Sequence, residues 1–341
     1  MRILITIFIC CFFSFYTSKL FCQESTFFSK EASTNLSGPY LGQTPPGDEA
    51  QLFAPGIIST PLYTRDITMM PDGNEIYFSI SPFGYNLIFY PKQEYGKWTE
   101  PKPASFISDF NYLYYEPHIT PDGKKMFFLS NLVDDDSVKN DQDIWAVDRV
   151  GDSWGKPYNL GAPINTDGAE YFPSVTKNGT LYFTRADKGT RIHFIYRSKL
   201  VDGKYSEPEK LGPEVNCGTN RYNAYIDTEE RFIILPAVGV SDKVGGENYY
   251  IVFRDENDKW SQPINMGNKI NSNLTRGHSA SLSPDGKYLF FMSNRGNPDI
   301  DFNKNLPSFS KILNDFNKPQ NGNSDIYWIS SKIISELKPI Q

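Results

Sequence analysis

A Pro-Asp-Gly turn followed by a run of aromatic and aliphatic residues recurs along this chain, and that repeat limits the fold more than any other feature. The clearest copy is Ser281–Arg295 (SLSPDGKYLFFMSNR), which reads as a strand, a tight turn at Pro284-Asp285-Gly286 and a second strand. Proline fixes φ for such a turn and glycine reaches positive φ without strain. The run Tyr288–Met292 is too continuous for a strand with one wet face, so both its faces are expected to be buried. Related copies are MMPDGNEIYFSI with Asp72, ITPDGKKMFFLSN with Asp122 and VTKNGTLYFTRA with Asn178; an eroded copy, IDTEERFIILPA, carries Glu229 in its turn. From Asp72 onward the copies lie 50, 56, 51 and 56 residues apart. A period of this size indicates a solenoid or a propeller, and the strand content selects the propeller.

Each repeat holds further strands. After a variable loop come NLIFYPK, DIWAVDR, HFIYRSK, NYYIVFR and DIYWISS, then an aromatic turn at Trp98, Trp154, Tyr205 or Trp260. An outer segment follows: KPYNLGAPINT (156–166), PEKLGPEVNC (208–217) or QPINMGNKIN (262–271). The fifth repeat ends near Ile333 without one, whereas QLFAPGIIST (51–60) is an outer strand with no blade of its own. The expectation is an all-β, five-bladed propeller of four-stranded antiparallel blades over residues 51–335. The N-terminal strand closes the ring and removes the exposed sheet edges. Residues 336–341 form a tail, and residues 23–50, polar and carrying Pro45-Pro46-Gly47, read as a tether or an edge cover.

The turns PDGNEIYF, PDGKKMFF and PDGKYLFF, the last followed by SNR, resemble the WD40-like PD40 repeats of TolB-type propellers. The resemblance covers residues 51–335 and speaks for the fold far more than for a function. It implies either a periplasmic binding scaffold or a carbohydrate-active enzyme, among them uronate lyases with Tyr, His and Arg at the ring centre. The fourth repeat departs from the pattern, with Thr228-Glu229-Glu230 in place of Pro-Asp-Gly.

Residues 1–22 read as an export signal: Arg2 supplies the positive end and Ile3–Tyr16 the apolar run, too short to span a bilayer, with cleavage placed after Cys22. The protein is therefore expected to be periplasmic or secreted, with no transmembrane segment in the mature chain. Without the signal, 32 basic residues face 40 acidic ones, which argues against nucleic acid as a partner. Cys217 then stands alone, so a disulfide or a Cys-ligated metal within the mature chain is excluded.

In a propeller the inner strands begin on one face beside the axis. Those starts hold Arg65, Glu116, His118, Glu170, Arg221, Tyr222, Arg276 and His278, and the second strands end near Arg185 and Arg295. Convergent titratable groups in a concave site mark a candidate active site. Competing roles stay open: Tyr115, Tyr171 and Tyr222 share a repeat slot and can pack between blades, His118 can be a satisfied core histidine, and Glu116 and Glu170 can pair with neighbouring arginines. His193 reads as peripheral.

Arginines bind carboxylates bidentately, and a clamped uronate has an acidified C5 proton because the developing charge falls on its carboxylate. A Tyr or His can take that proton and another protonate the oxygen at C4. The expected partner is thus an acidic oligosaccharide, and the expected chemistry is that of a lyase or dehydratase giving a 4,5-unsaturated uronate. His278 and Tyr222 are assigned as the acid/base pair with His118 assisting. Arg221 and Arg276 form the clamp, and Arg65, Arg185, Arg295, Glu116 and Glu170 supply further contacts. Glycoside hydrolysis using Asp66, Glu116 and Glu170, and a non-catalytic binding propeller, are the alternatives. No cofactor or metal is expected. Calcium at the Asp134-Asp135-Asp136/Asp141 loop, or at Asp299 and Asp301, is the weaker reading, since EF-hand spacing is missing.

Overall fold

A strand buried on both faces must serve two cores, and the apolar runs after the turns do so. The structure, a computed structural model, describes residues 36–133, 142–273, 276–297 and 307–339. Five four-stranded antiparallel blades form a β-propeller. From the axis outward, blade 1 is Thr64–Met69, Ile76–Ile80, Leu87–Tyr90 and Lys102–Pro103. Blade 2 is Tyr114–Ile119, Lys125–Ser130, Asp143–Val150 and Tyr158–Asn159; blade 3 is Glu170–Val175, Leu181–Ala186, His193–Ser198 and Glu209–Lys210. Blade 4 has an inner strand in two pieces, Asn220–Arg221 and Tyr225–Ile226, then Phe232–Val238, Glu247–Phe253 and Ile264–Asn265. Blade 5 is Ala280–Leu282, Tyr288–Ser293 and Asp325–Ser330, and its outer strand is Gln51–Leu52 from the N-terminal end of the ring, with Gln51 opposite Trp328 and Leu52 opposite Tyr327.

Five hydrophobic clusters fill the five seams between neighbouring blades. Alternate residues of a second strand go to different seams. Phe128 packs with Phe106 between blades 1 and 2, while Phe127 joins Val175 and Phe183 between blades 2 and 3. Phe290 lies 4.9 Å from Phe53 at the closing seam, while Phe291 lies 6.1 Å from Tyr249 at the seam with blade 4. At about 1.5–3 kcal/mol for each fully buried large apolar side chain, these seams hold the ring together.

The turns repeat in detail. Gly73, Gly123, Gly179 and Gly286 all have φ between 71° and 85°, and each donates its N–H to the carbonyl three residues back. In the eroded fourth copy Glu230 takes this place with φ 56° and donates to Asp227 O at 2.8 Å. Its carboxylate accepts from Tyr182 Oη at 2.8 Å and Arg254 Nη1 at 2.7 Å, interactions that offset the strain. Nearer the axis, one side chain per inner strand reaches the next blade's backbone. Thr68 Oγ1 accepts from Ile119 N (3.2 Å), His118 Nε2 from Val175 N (3.0 Å) and Ser174 Oγ from Ile226 N (3.0 Å). The Tyr225 hydroxyl accepts from Leu282 N–H, and Ser281 Oγ donates to Ile67 O (2.7 Å), completing the circle.

Residues 36–50 lie across the closing seam. Leu36 O and Gly38 O accept from the backbone N and the Nε1 of Trp98 at 2.9 and 2.8 Å on blade 1, while Gly47 O accepts from Ser330 N at 3.0 Å on blade 5. Tyr40 packs on Tyr288 (5.2 Å) and Trp328 (5.4 Å), and Leu41 is buried. Removing residues through Ser59 should therefore abolish the single cooperative urea transition, whereas removal through Thr34 should leave it. Tyr40→Ala should cost about 2 kcal/mol with an unchanged m-value, because aromatic contacts are lost at a half-buried site. Equal stability of the two truncations would exclude closure through the N-terminal strand.

Candidate functional site at the axial mouth

The inner strands are bulged at one repeated position. Asp66, Glu116, Phe172 and Asn223 have φ of 51°, 56°, 51° and 49°, and the strand register shifts there in blades 1, 2 and 3. A bulge re-aims the side chains around it. The residues just before that position, Arg65, Tyr115, Tyr171 and Tyr222, form one circle at the mouth of the axis, which His278 completes. The Arg65 guanidinium lies 5.1 Å from the centre of the Tyr115 ring, and Tyr222 stacks on His278 at 5.6 Å with 26° between the planes. Tyr171 Oη and His193 Nδ1 are 2.6 Å apart, and the His193 ring lies 6.3 Å from Tyr222.

Beneath this circle sits a buried charged cluster. Arg65 donates through Nε to Asp66 Oδ2 (2.8 Å) and through Nη2 to Glu116 Oε1 (2.5 Å). Glu116 also accepts from Phe172 N at 2.7 Å and Asn223 Nδ2 at 3.2 Å, so groups from four blades meet on two carboxylates. Burial pushes the Glu116 carboxyl up while Arg65 pulls it down. Burial works against the charge of Arg65, but Asp66 and Glu116 more than compensate.

The titratable groups of the mouth are held in defined states. Burial lowers His278 to about 3, helped by the charges of Arg65 and Arg276, so its imidazole is neutral near pH 7. Burial and the neighbouring Glu247 carboxyl raise Tyr222, keeping the phenol protonated. Burial raises Tyr171, with Glu116 adding to it, and burial with the Arg221 charge lowers His193. Arg276 is exposed, and its backbone N–H is held by Asn294 Oδ1 at 2.9 Å.

Three of the arginines singled out in the sequence instead tie one blade to the exit of the preceding one. Arg221 donates from Nε, Nη1 and Nη2 to the carbonyls of Cys217, His193 and Gly218, each at 2.9 Å. Arg185 donates to Glu170 Oε1 at 2.8 Å and to Pro163 O and Ile164 O, while Arg295 donates to Ile270 O at 2.5 Å. Glu170 is fully buried and accepts from Thr166 N and Oγ1 as well as Arg185. His118 sits at the blade-to-blade bond to Val175, on the far side of the bulge from His278 and Tyr222. The structure thus brings His278, Tyr222, Arg276, Arg65 and Glu116 to the mouth or directly beneath it. Arg185, Arg221, Arg295, Glu170 and His118 are hydrogen-bonded into the frame.

Two mouth residues did not stand out in the sequence. His193 and Glu247 open the third strands of blades 3 and 4, and each faces the last residue of a second strand, Ala186 or Val238. His193, expected at the periphery, contacts Tyr171 and Tyr222 instead, because the loops between second and third strands return to the mouth. Reading third-strand starts along with inner-strand starts would have found both. Among the described residues no group of three or more His, Cys, Asp or Glu side chains is arranged to hold a metal ion. The Asp134–Asp141 run, Asp299 and Asp301 lie outside the described residues, as does the export signal. Part of the long blade 5 loop is a helix, Phe309–Phe316, with Phe309, Ile312, Leu313 and Phe316 exposed.

No family model and no curated protein sequence matches this chain. Solved structures with similar folds include TolB from Acinetobacter baumannii, at 16% identity and TM-score 0.44, covering 79% of this chain and 57% of that one. The tricorn protease aligns at 12% identity and TM-score 0.41, covering 67% of this chain and 24% of its own. A periplasmic gluconolactonase from Pseudomonas aeruginosa aligns at 14% identity and TM-score 0.36, covering 67% and 64%. These likenesses concern the fold alone.

His118 offers a direct check on its place in the frame. Burial lowers it to about 4 against the ordinary 6.5. The unfolded chain therefore takes up this proton first as pH falls from 6.5, and the associated stability is lost between 6.5 and 4. His118→Gln, which keeps an acceptor for Val175 N–H, should unfold in urea with a shallower loss over that range. His118→Ala should cost about 1–3 kcal/mol at pH 7 by leaving a buried N–H without a partner. An alanine variant as stable as the parent would remove His118 from the frame.

Proposed function

We propose that this chain binds a carboxylate-bearing saccharide at the axial mouth and acts on it by β-elimination. The observation that carries this reading is the stacking of a neutral imidazole, His278, on a protonated phenol, Tyr222, beside the exposed guanidinium of Arg276. In the reaction the C5 proton of a uronic acid passes to His278 and the C5–H electron pair forms the C4–C5 double bond. The C4–O bond breaks, and the departing oxygen takes the Tyr222 proton. Arg276 receives the substrate carboxylate and, with Arg65 below, stabilises charge that develops there. Arg221 is committed to three carbonyls, so the clamp falls to Arg276. A glycosidic oxygen at C4 makes the enzyme a polysaccharide lyase, and a free hydroxyl makes it a dehydratase. Hydrolysis is less favoured, because Asp66 and Glu116 bind one guanidinium and Glu170 is enclosed. With residues 1–22 read as an export signal, the proposed place of action is the periplasm or outside the cell.

A binding propeller without turnover is the second reading. It is favoured by the engagement of the Tyr115 hydroxyl with Ser81 and Asn86, and of Tyr171 with His193, which make a fixed lining.

The mature chain should be incubated with a panel of uronate-containing oligosaccharides while the ultraviolet absorbance of a conjugated enoate is followed and the products are weighed. Loss of one water means dehydratase, chain cleavage with the chromophore means lyase, and new reducing ends without it mean hydrolase. Binding without any product gives the second reading. His278→Ala and Tyr222→Phe should each lower kcat by about 100-fold or more with circular dichroism unchanged. Because His278 stays neutral far below the ordinary histidine range, kcat/KM should hold as pH falls from 7 to about 4.5. A decline centred near the free-histidine value of about 6.5 would remove His278 as the base.

A further inference from the structure

We propose that Glu247 is a ligand-binding residue whose carboxylate oxygen Oε2 accepts a hydrogen bond from a hydroxyl of the bound saccharide. The ligand class rests on the reading above, whereas the role of Glu247 rests on its own geometry. Glu247 is the first residue of the third strand of blade 4, and its counterpart in blade 3, His193, is bonded to Tyr171. This position of a blade therefore addresses the circle at the mouth rather than a seam core.

The Tyr222 hydroxyl and the Glu247 carboxyl are neighbours that act on one another, and the charge of Arg276 acts on that carboxyl as well. Its Oε2 is closed to solvent and has no hydrogen-bond partner among the described residues. The same holds for Oδ1 of Asp66, which is buried in the cluster beneath the mouth. A buried polar atom with no partner costs about 1–3 kcal/mol. Among the described residues Oδ1 of Asp325 and Nε1 of Trp145 and Trp328 share this state within the frame, so it is the place of the Glu247 and Asp66 oxygens, at and beneath the mouth, that points to a ligand. Two of them near one axis call for a ligand rich in donors. A simple anion would meet Arg276 but be repelled by both oxygens, and a hydrocarbon would satisfy neither. A hydroxy acid of the saccharide type supplies a carboxylate for Arg276 and hydroxyls for the acceptors. Burial pushes the Glu247 carboxyl up, while Tyr222 and Arg276 pull it back toward the ionised, accepting form.

Glu247→Met and Glu247→Gln should be compared with the parent in thermal unfolding, first alone and then with D-glucuronate, D-glucose or cyclohexanecarboxylate up to tens of millimolar. A ligand at about ten times its Kd adds roughly 1.4 kcal/mol to the folded state, a shift of a few degrees. The expected result is a methionine variant at least as stable as the parent alone that loses at least tenfold in glucuronate affinity. The glutamine variant, which keeps one acceptor, should lose less, and cyclohexanecarboxylate should protect none of them appreciably. Protection by glucose but not glucuronate, lost in the methionine variant, would end the uronate reading and leave the role of Glu247 standing. Equal glucuronate protection of parent and methionine variant would overturn the role of Glu247 and leave the uronate reading intact. A methionine variant less stable by more than about 4 °C, or a parent protected by neither sugar, would also overturn the inference.

Discussion

The rest of the molecule depends on the contact between neighbouring blades. No single core runs through the ring; each seam is its own apolar cluster, and each blade contributes to two of them. A seam core fixes how far apart two blades lie but leaves them free to slide. The inner circle of hydrogen bonds from Thr68, His118, Ser174, Tyr225 and Ser281 restricts that sliding by tying each inner strand to the next blade's backbone. Because the circle closes, a shift at one blade must be absorbed by all five.

That rigidity allows charge to be buried on the axis. Arg65, Asp66 and Glu116 come from two blades, and Phe172 and Asn223 from two more, so the cluster forms only in the closed ring. Isolated, each of these charges would be strongly destabilising when buried; together they pair at short distances, with Oδ1 of Asp66 left over. The bulges that bring them inward also turn Tyr115, Tyr171 and Tyr222 toward the mouth. A frame feature repeated for packing reasons has thus produced a polar, partly shielded opening with neutral histidines and protonated tyrosines around it.

The arginines show why composition misleads at such a site. Arg185, Arg221 and Arg295 stand near the mouth in sequence, yet their donors are taken by carbonyls at the exit of the preceding blade. The asparagines of the same outer segments, Asn165, Asn216 and Asn271, pair with the backbone of Ile144, Ile195 and Tyr249 like an extra strand residue. The repeated PIN, EVN and KIN segments are therefore a structural joint, and the arginines are part of it. Arg276 has no such joint to serve and remains exposed.

The sequence by itself determined the number of blades, the order of strands within each and the closure through residues 51–60. These follow from local chemistry repeated at a fixed period: turn residues, runs buried on both faces, and one outer strand without a blade. It also placed His278 and Tyr222 at inner-strand starts, though not that they stack. Only the tertiary structure decided which polar residues face the axis. Adjacent residues of an extended segment face opposite sides, and Asn223, the left-handed residue, comes only after both, so Tyr222 reaches the mouth while Arg221 beside it enters the seam. Glu247 and His193 join them from strands that lie more than twenty residues away in sequence from the nearest of these inner-strand starts. No local pattern marks them, because their role arises where separate blades converge.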